Sequence, residues 1–234
     1  MFGSTSAPAP APAPTPLACP AHLADHQQHI DALIEVGRVF WQRGWSVGTS
    51  SNYSAVVGSD PQQLLLTASG KHKGQLTRED FVLVDTQGQP TQSGQPKSSA
   101  ETLLHCVAAE QPGVGAVLHT HSIWSTVLSD RFAPQGGILI EGYEMLKGLS
   151  GVTTHEHAEW LPIFDNTQDI PVLAEQVRAA MRENEQAGGP AWHGYIIRRH
   201  GIYTWGKDVD EAFRQIEIIE FLLECIGRSS TLGA

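Results

Sequence analysis

Cysteine is scarce in this chain. Three in 234 residues, Cys19, Cys106 and Cys225, are too far apart and odd in number to build a disulfide framework. The expectation is a reduced, cytoplasmic protein. Long apolar runs are missing too, and none approaches the roughly 20 residues of a membrane-spanning helix. The start shows no charged segment followed by an apolar one, so no secretory signal is expected. Positive charge is thin: 15 Lys and Arg stand against 25 Asp and Glu, a formal net charge of −10. No basic stretch exceeds a pair such as Arg198-Arg199, which excludes nucleic acid as a principal partner. What is present is an apolar fraction of 41%, enough for one sizeable core, and a length that fits one domain. Eleven histidines are a rich supply of ligands and also of chance motifs.

An Ala-Pro alternation from Ala7 to Pro14 cannot build a core, so residues 1–19 are expected to be a disordered tail and residues 20–230 the folded domain. Ile30, Leu33, Ile34, Gly37, Phe40 and Trp41 follow helical spacing, with Gly44 as a stop. Strands are expected at Tyr53–Val57, Leu64–Thr67 and Phe81–Asp85. Ser98-Ser99-Ala100-Glu101 has the S-x-x-E form of a capping box and predicts a helix running to about Glu110. Further strands are expected near Ile138–Ile140, Trp160–Phe164, Gly194–Arg199 and Ile202–Trp205. Asp169 should cap a helix over about Pro171–Asn184, and Asp208 should open a last one. Strands outnumber helices and do not alternate strictly with them, so a mixed α/β domain is expected rather than a doubly wound one.

The most informative stretch is Gly115-Ala116-Val117-Leu118-His119-Thr120-His121-Ser122. Its histidines sit two apart at the end of an apolar run, and residues i and i+2 of a strand share a face, so both imidazoles can reach one point. Imidazole is the commonest zinc ligand, and an open zinc site carries three protein ligands. His200, after the strand-like Tyr195-Ile196-Ile197 and before Gly201, is the third candidate. The bland alternative is a pair of half-buried strand histidines. A rival pair, His155 and His157, lies among polar residues without a flanking strand and reads as a solvated loop.

Two carboxylates are candidates for proton transfer beside a polarised carbonyl, Glu144 and Glu101. Each has an ordinary alternative, Glu144 as a surface residue and Glu101 as the N3 glutamate of the capping box, bonding the backbone N–H of Ser98. The loops Gly48-Thr49-Ser50-Ser51-Asn52 and Thr67-Ala68-Ser69-Gly70-Lys71 offer small residues, hydroxyls and free N–H groups that suit a phosphate, with Lys71 adding charge. Neither matches a P-loop, and both are also ordinary turn sequences.

Taken together, Gly48–Asn52, Ser69-Gly70, Lys97–Thr102, His119–Ser122, Glu144–Gly148 and Arg199–Gly206 resemble the class II aldolase/adducin family from about residue 25 to 228. The resemblance implies a single-domain class II aldolase-like α/β fold, with a mixed, mostly antiparallel sheet flanked by helices. It implies one Zn2+ per subunit on His119, His121 and His200, and Glu144 as the acid/base of the family's dehydratase branch. In the aldolase branch the position of Glu101 takes that role, so catalyst, ligand and helix cap all stay open for it. The phosphate pocket maps onto Thr49, Ser51, Asn52, Ser69, Gly70, Ser98 and Ser99. A phosphorylated sugar-like substrate, a homotetramer with sites near subunit interfaces, and zinc-dependent loss of water are implied. The competing activities are those of a zinc-dependent aldolase or epimerase. Adducin-type relatives keep the fold as binding modules without a working metal site, and the presence of all three histidines argues against that branch.

Overall fold

The computed structural model describes residues 19–60 and 62–232. The Ala-Pro tract expected as a tail lies outside these residues. Among the described residues eight strands, β1 (Asn52–Ser59), β2 (Gln62–Thr67), β3 (Phe81–Asp85), β4 (Ala116–Thr120), β5 (Gly137–Glu141), β6 (Ala158–Phe164), β7 (Gly194–Ile197) and β8 (Gly201–Gly206), form one sheet. Their order is β3-β2-β1-β4-β8-β7-β6-β5. Only β6 and β7 run parallel, and every other neighbouring pair is antiparallel, as expected of a mixed sheet.

Five α-helices of the described residues cover its faces: α1 (Gln27–Gln42), α2 (Thr102–Ala109), α3 (Ile123–Phe132), α4 (Ile170–Gln186) and α5 (Val209–Thr231). Ile30, Leu33 and Phe40 of α1 join Leu118 of β4 and Ile219 and Leu223 of α5 in one core. Leu104 and Val107 of α2, Leu173 and Val177 of α4, Val117 and Tyr203 form a second core on the other face. The alternation of strand side chains divides β4 between the two. Ala116 and Leu118 point to the α1/α5 side, Val117 to the α2/α4 side, and His119 follows Val117. Thr120 points the other way, where its hydroxyl donates to Glu220 of α5 at 3.0 Å.

Two local features position the site. A Cβ on Gly201 would lie 2.0 Å from the Thr120 carbonyl oxygen and 3.0 Å from the His119 ring, so only glycine lets β8 close onto β4 here. The start of α2 differs from the capping-box expectation. Ser98 pairs as an isolated β-bridge with Ala68, and the helix begins at Thr102. Glu101 occupies the cap position without a side-chain bond to the helix backbone, because its carboxylate is engaged by Asn52 and His200. No helix N-terminus therefore stands at Ser98-Ser99. The Asp208 start behaves as expected: its carboxylate accepts from Glu211 N at 2.8 Å, while Glu211 reaches back to Lys207 N. Among the described residues no helix is long and apolar enough to cross a membrane.

Candidate active site

His119 ends β4, His121 follows it, and His200 closes the tight turn between β7 and β8. The fold brings all three together. The Nε2 atoms of His119 and His121 lie 2.7 Å apart, and the His200 ring centroid is 5.1 Å from that of His119 and 4.5 Å from that of His121. Glu101 completes the group, with Oε1 3.0 Å from His200 Nε2 and Oε2 3.6 Å from His119 Nε2.

The protonation pattern follows from the partners. His119 Nδ1–H donates to the Ile202 carbonyl at 2.9 Å, which leaves the Nε2 lone pair aimed into the cluster. Burial, reinforced by the neighbouring imidazoles, holds His119 well below the ordinary histidine range and pushes His121 down to about 4. Burial would raise the Glu101 carboxyl, but hydrogen bonds from the His200 ring and the Asn52 amide outweigh it and hold the carboxyl below its ordinary value. Three imidazole nitrogens converging beside a carboxylate are the donor set of a divalent-cation site. Their fit to zinc rests on ligand type and on the anchored tautomer of His119.

Behind this group lies a hydrogen-bonded chain that sequence reading missed. Asn52, paired across the β1–β4 ladder with His119, donates from Nδ2 to Glu101 Oε2 at 2.6 Å and to Ser99 Oγ at 3.1 Å. Its Oδ1 is held by Nε2 of His105, a fully buried residue of α2. His105 Nδ1 accepts from the Ser54 hydroxyl at 2.8 Å, and burial lowers the ring to about 4, so it is neutral with its proton on Nε2. His119 itself stacks on Tyr203, with centroids 3.9 Å apart. His105 sits in an apolar helix at a spacing that reads as core, and only the cross-strand position of Asn52 could have signalled the chain.

A cleft of about 220 Å³ opens on these residues. Thr49, Ser51, Asn52, Ser69, Gly70 and Ser99 from the expected phosphate loops line it, together with Glu101, His121 and His200. Ser51, in the loop that lines the cleft, is held at φ 71°, a left-handed conformation uncommon for a side-chain-bearing residue. Ser98 does not line it. The cation differs from expectation as well: Lys71 pairs with Asp80 at 2.7 Å, and Lys73 lines the cleft instead. Lys73 is 1% exposed, donates to the Lys71 and Thr49 carbonyls at 2.8 and 3.3 Å, and is lowered by burial to about 8. Asn166, Thr167 and Gln168, after β6, form the opposite wall.

Glu144 is not brought to this cleft within the chain. It opens a short 3-10 turn, Glu144–Gly148, beyond the C-terminal end of β5, and its side chain is 71% exposed. Its partner is Lys147 at 2.5 Å, which together with His155 holds the carboxyl below its ordinary value. Because β5 and β6 are antiparallel, with Glu141 opposite Ala158, this turn lies at the end of β6 away from Asn166–Gln168. The rival histidine pair divides: His155 stays exposed, whereas His157 turns inward to Glu159 at 2.9 Å. The solvated-loop reading thus holds for His155 and not for His157, which has a buried carboxylate to meet.

Residues 31–226 match the family model described as the Class II Aldolase and Adducin N-terminal domain. A methylthioribulose-1-phosphate dehydratase from Marinobacter nauticus is 50% identical over 196 residues, covering 83% of this chain and 90% of the relative. One from Pseudomonas aeruginosa is 47% identical over 202 residues, covering 86% and 94%. Among solved structures, L-fuculose-1-phosphate aldolase from Thermus thermophilus superposes with a TM-score of 0.68 at 20% identity, covering 89% of this chain and 98% of that one. The sugar-phosphate aldolase from Thermotoga maritima gives 0.65 at 18%, covering 90% and 98%; these two likenesses speak to fold alone. The chain belongs to the class II aldolase and adducin family.

Proposed function

We propose that this chain is a zinc-dependent hydro-lyase that converts 5-methylthioribulose 1-phosphate to 2,3-diketo-5-methylthiopentyl 1-phosphate and water, a cytoplasmic step of methionine salvage. The observation that carries the reading is the convergence of His119, His121, His200 and Glu101 in one cluster, of which His121, His200 and Glu101 line a cleft with a loop set suited to phosphate. The dehydratase names of relatives 47–50% identical over most of the chain support the choice among activities of the family.

His119, His121 and His200 would hold the ion, with Glu101 beside them as a further ligand or as acceptor for His200. When bound, the ion supplies Lewis-acid polarisation of the substrate C2 carbonyl. The chain's own residues do the rest. The N–H groups and hydroxyls of Thr49, Ser51, Ser69, Gly70 and Ser99, with Lys73, bind the phosphate and fix the sugar so that its C3–H faces a base. Asn52, held by His105, keeps the Glu101 carboxylate turned toward the histidines. Glu144 removes the C3 proton and, directly or through a bound water, returns it to the C4 hydroxyl, which departs as water, and the resulting enol tautomerises to the diketone. Since Glu144 is exposed at the other end of its own sheet, it serves the cleft of an adjacent subunit in a homotetramer.

Zinc-loaded protein incubated anaerobically with 5-methylthioribulose 1-phosphate should form the diketone. Glu144→Gln should lose about 10²- to 10⁴-fold in rate with its zinc retained. Release of dihydroxyacetone phosphate without diketone would replace this reading by an aldolase in which Glu101 is the base.

A further inference from the structure

The structure holds a second histidine–carboxylate cluster that the dehydratase reading does not use. His157 Nε2 and His193 Nδ1 lie 2.9 and 2.8 Å from the same oxygen, Oε2 of Glu159. Glu159 is a β6 residue only 2% exposed. Its other oxygen, Oε1, is already taken by the His193 backbone N–H at 3.3 Å, so Oε2 alone faces the two rings. The opposite nitrogen of His193, Nε2, points at the Ser150 carbonyl at 2.8 Å and must carry a proton. A neutral His193 then turns a bare Nδ1 lone pair toward a carboxylate oxygen. The arrangement calls for positive charge between them, either a second proton on the ring or a cation.

We propose that His157 Nε2, Glu159 Oε2 and His193 Nδ1 form a second divalent-cation site, distinct from the catalytic cluster, with a donor set that takes zinc. Two imidazoles and one carboxylate, with a position left for water, are a recurrent zinc environment. All three donor atoms lie within 4.8 Å of one another, as do those of the catalytic group. His193 repeats the device seen at His119, in which one ring nitrogen is anchored on a backbone carbonyl and the other is aimed at the cluster. Access is open, because His157 is 24% exposed and His193 lines a cavity of about 480 Å³ with Ser150, Trp192 and Trp205.

The position gives the ion a structural role. β6 and β7 pair only at Ile163–Ile196 and Phe164–Ile197, so their N-terminal ends share no ladder bonds. His193, just before β7, and Glu159, near the start of β6, span that gap. Ser150 ties in the loop that follows the Glu144 turn, and its own N–H and hydroxyl are held by Gln215 and Glu211 of α5. An ion here braces the end of the sheet that carries Glu144.

Metal-stripped protein loaded with zinc and dialysed should retain two zinc ions per chain by elemental analysis, and His157→Ala and Glu159→Gln should each retain one. His119→Ala/His121→Ala should also retain one, and cobalt bound to it should give an absorption band that His157→Ala added to this background removes. His157 sits at the rim, so its variant keeps a folded circular-dichroism spectrum even where Glu159→Gln does not. One zinc in the wild type, or two in folded His157→Ala, would overturn the proposal and leave the cluster a hydrogen-bonded His193–Glu159 ion pair.

Discussion

The two histidine–carboxylate clusters stand at opposite ends of β7, and they are built by different means. The catalytic group takes His119 and His121 from one strand end and His200 from the adjoining turn. Its geometry is thus set by the ladder between β4 and β8, with Gly201 removing the Cβ that would separate them. Its carboxylate is borrowed from the cap position of α2 and steered by the Asn52–His105–Ser54 chain. No ladder joins the members of the second group to one another, although Glu159 pairs with Ile140 of β5, and they are gathered across a gap between β6 and β7. Local strand geometry can prearrange a site, whereas the second cluster depends on tertiary packing or on an ion to hold it. The His119 and His121 imidazoles are buried and held neutral, ready for a metal without giving up a proton. In the second cluster burial lowers His193, but bonding to Glu159 outweighs it and raises the ring, so a metal there displaces a proton.

The contrast can be broken most severely at His119. His119→Ala should abolish diketone formation, whereas His157→Ala should keep turnover within a few-fold, as read by steady-state kinetics of folded, zinc-loaded proteins. Equal losses would make the two clusters one functional unit. A smaller effect is expected behind the ligands: Asn52→Ala releases Glu101 and should cost about 10- to 100-fold in metal affinity or kcat/KM. His105→Gln should fall between that variant and the wild type if it still holds Asn52.

The least expected effect concerns pH. Glu220 is fully buried behind Thr120 with Oε2 unpartnered, and burial raises its carboxyl to about 7. A carboxyl raised in the folded state favours folding fully below its unfolded value, about 4.3, and that contribution is lost as pH rises through about 7. Tm should therefore decline from about pH 5 to 8, and Glu220→Gln should flatten that decline. An unchanged slope in the variant would assign the pH dependence elsewhere.

Much of this was legible in the sequence, and the reasons are local. The run Phe81–Asp85 is β3 to the residue, and the Asp169 and Asp208 caps open α4 and α5 as read. The alternation in His119-Thr120-His121 carried the site, because a two-residue period puts both rings on one face in any strand. What failed was non-local. Ser98 reads as a cap until β2 offers it a bridge, and Glu101 reads as a cap partner until Asn52 and the histidines offer it more. Lys73 looks like a surface lysine beside Lys71, although the fold buries it and pairs its neighbour with Asp80. Glu159 and His193 are 34 residues apart, with no spacing to join them. The 3-10 turn at Glu144 shows where that residue sits, and its exposure leaves its reach to the quaternary structure.

The most direct test joins the two ends of the sheet. Glu144→Gln and His121→Ala chains, each inactive alone, would be co-expressed with different tags, purified as mixed oligomers and assayed for diketone formation. If Glu144 serves a neighbouring subunit's histidines, random assembly restores about a quarter of the wild-type rate. Mixed oligomers as inactive as their parents would contradict an active site shared between subunits.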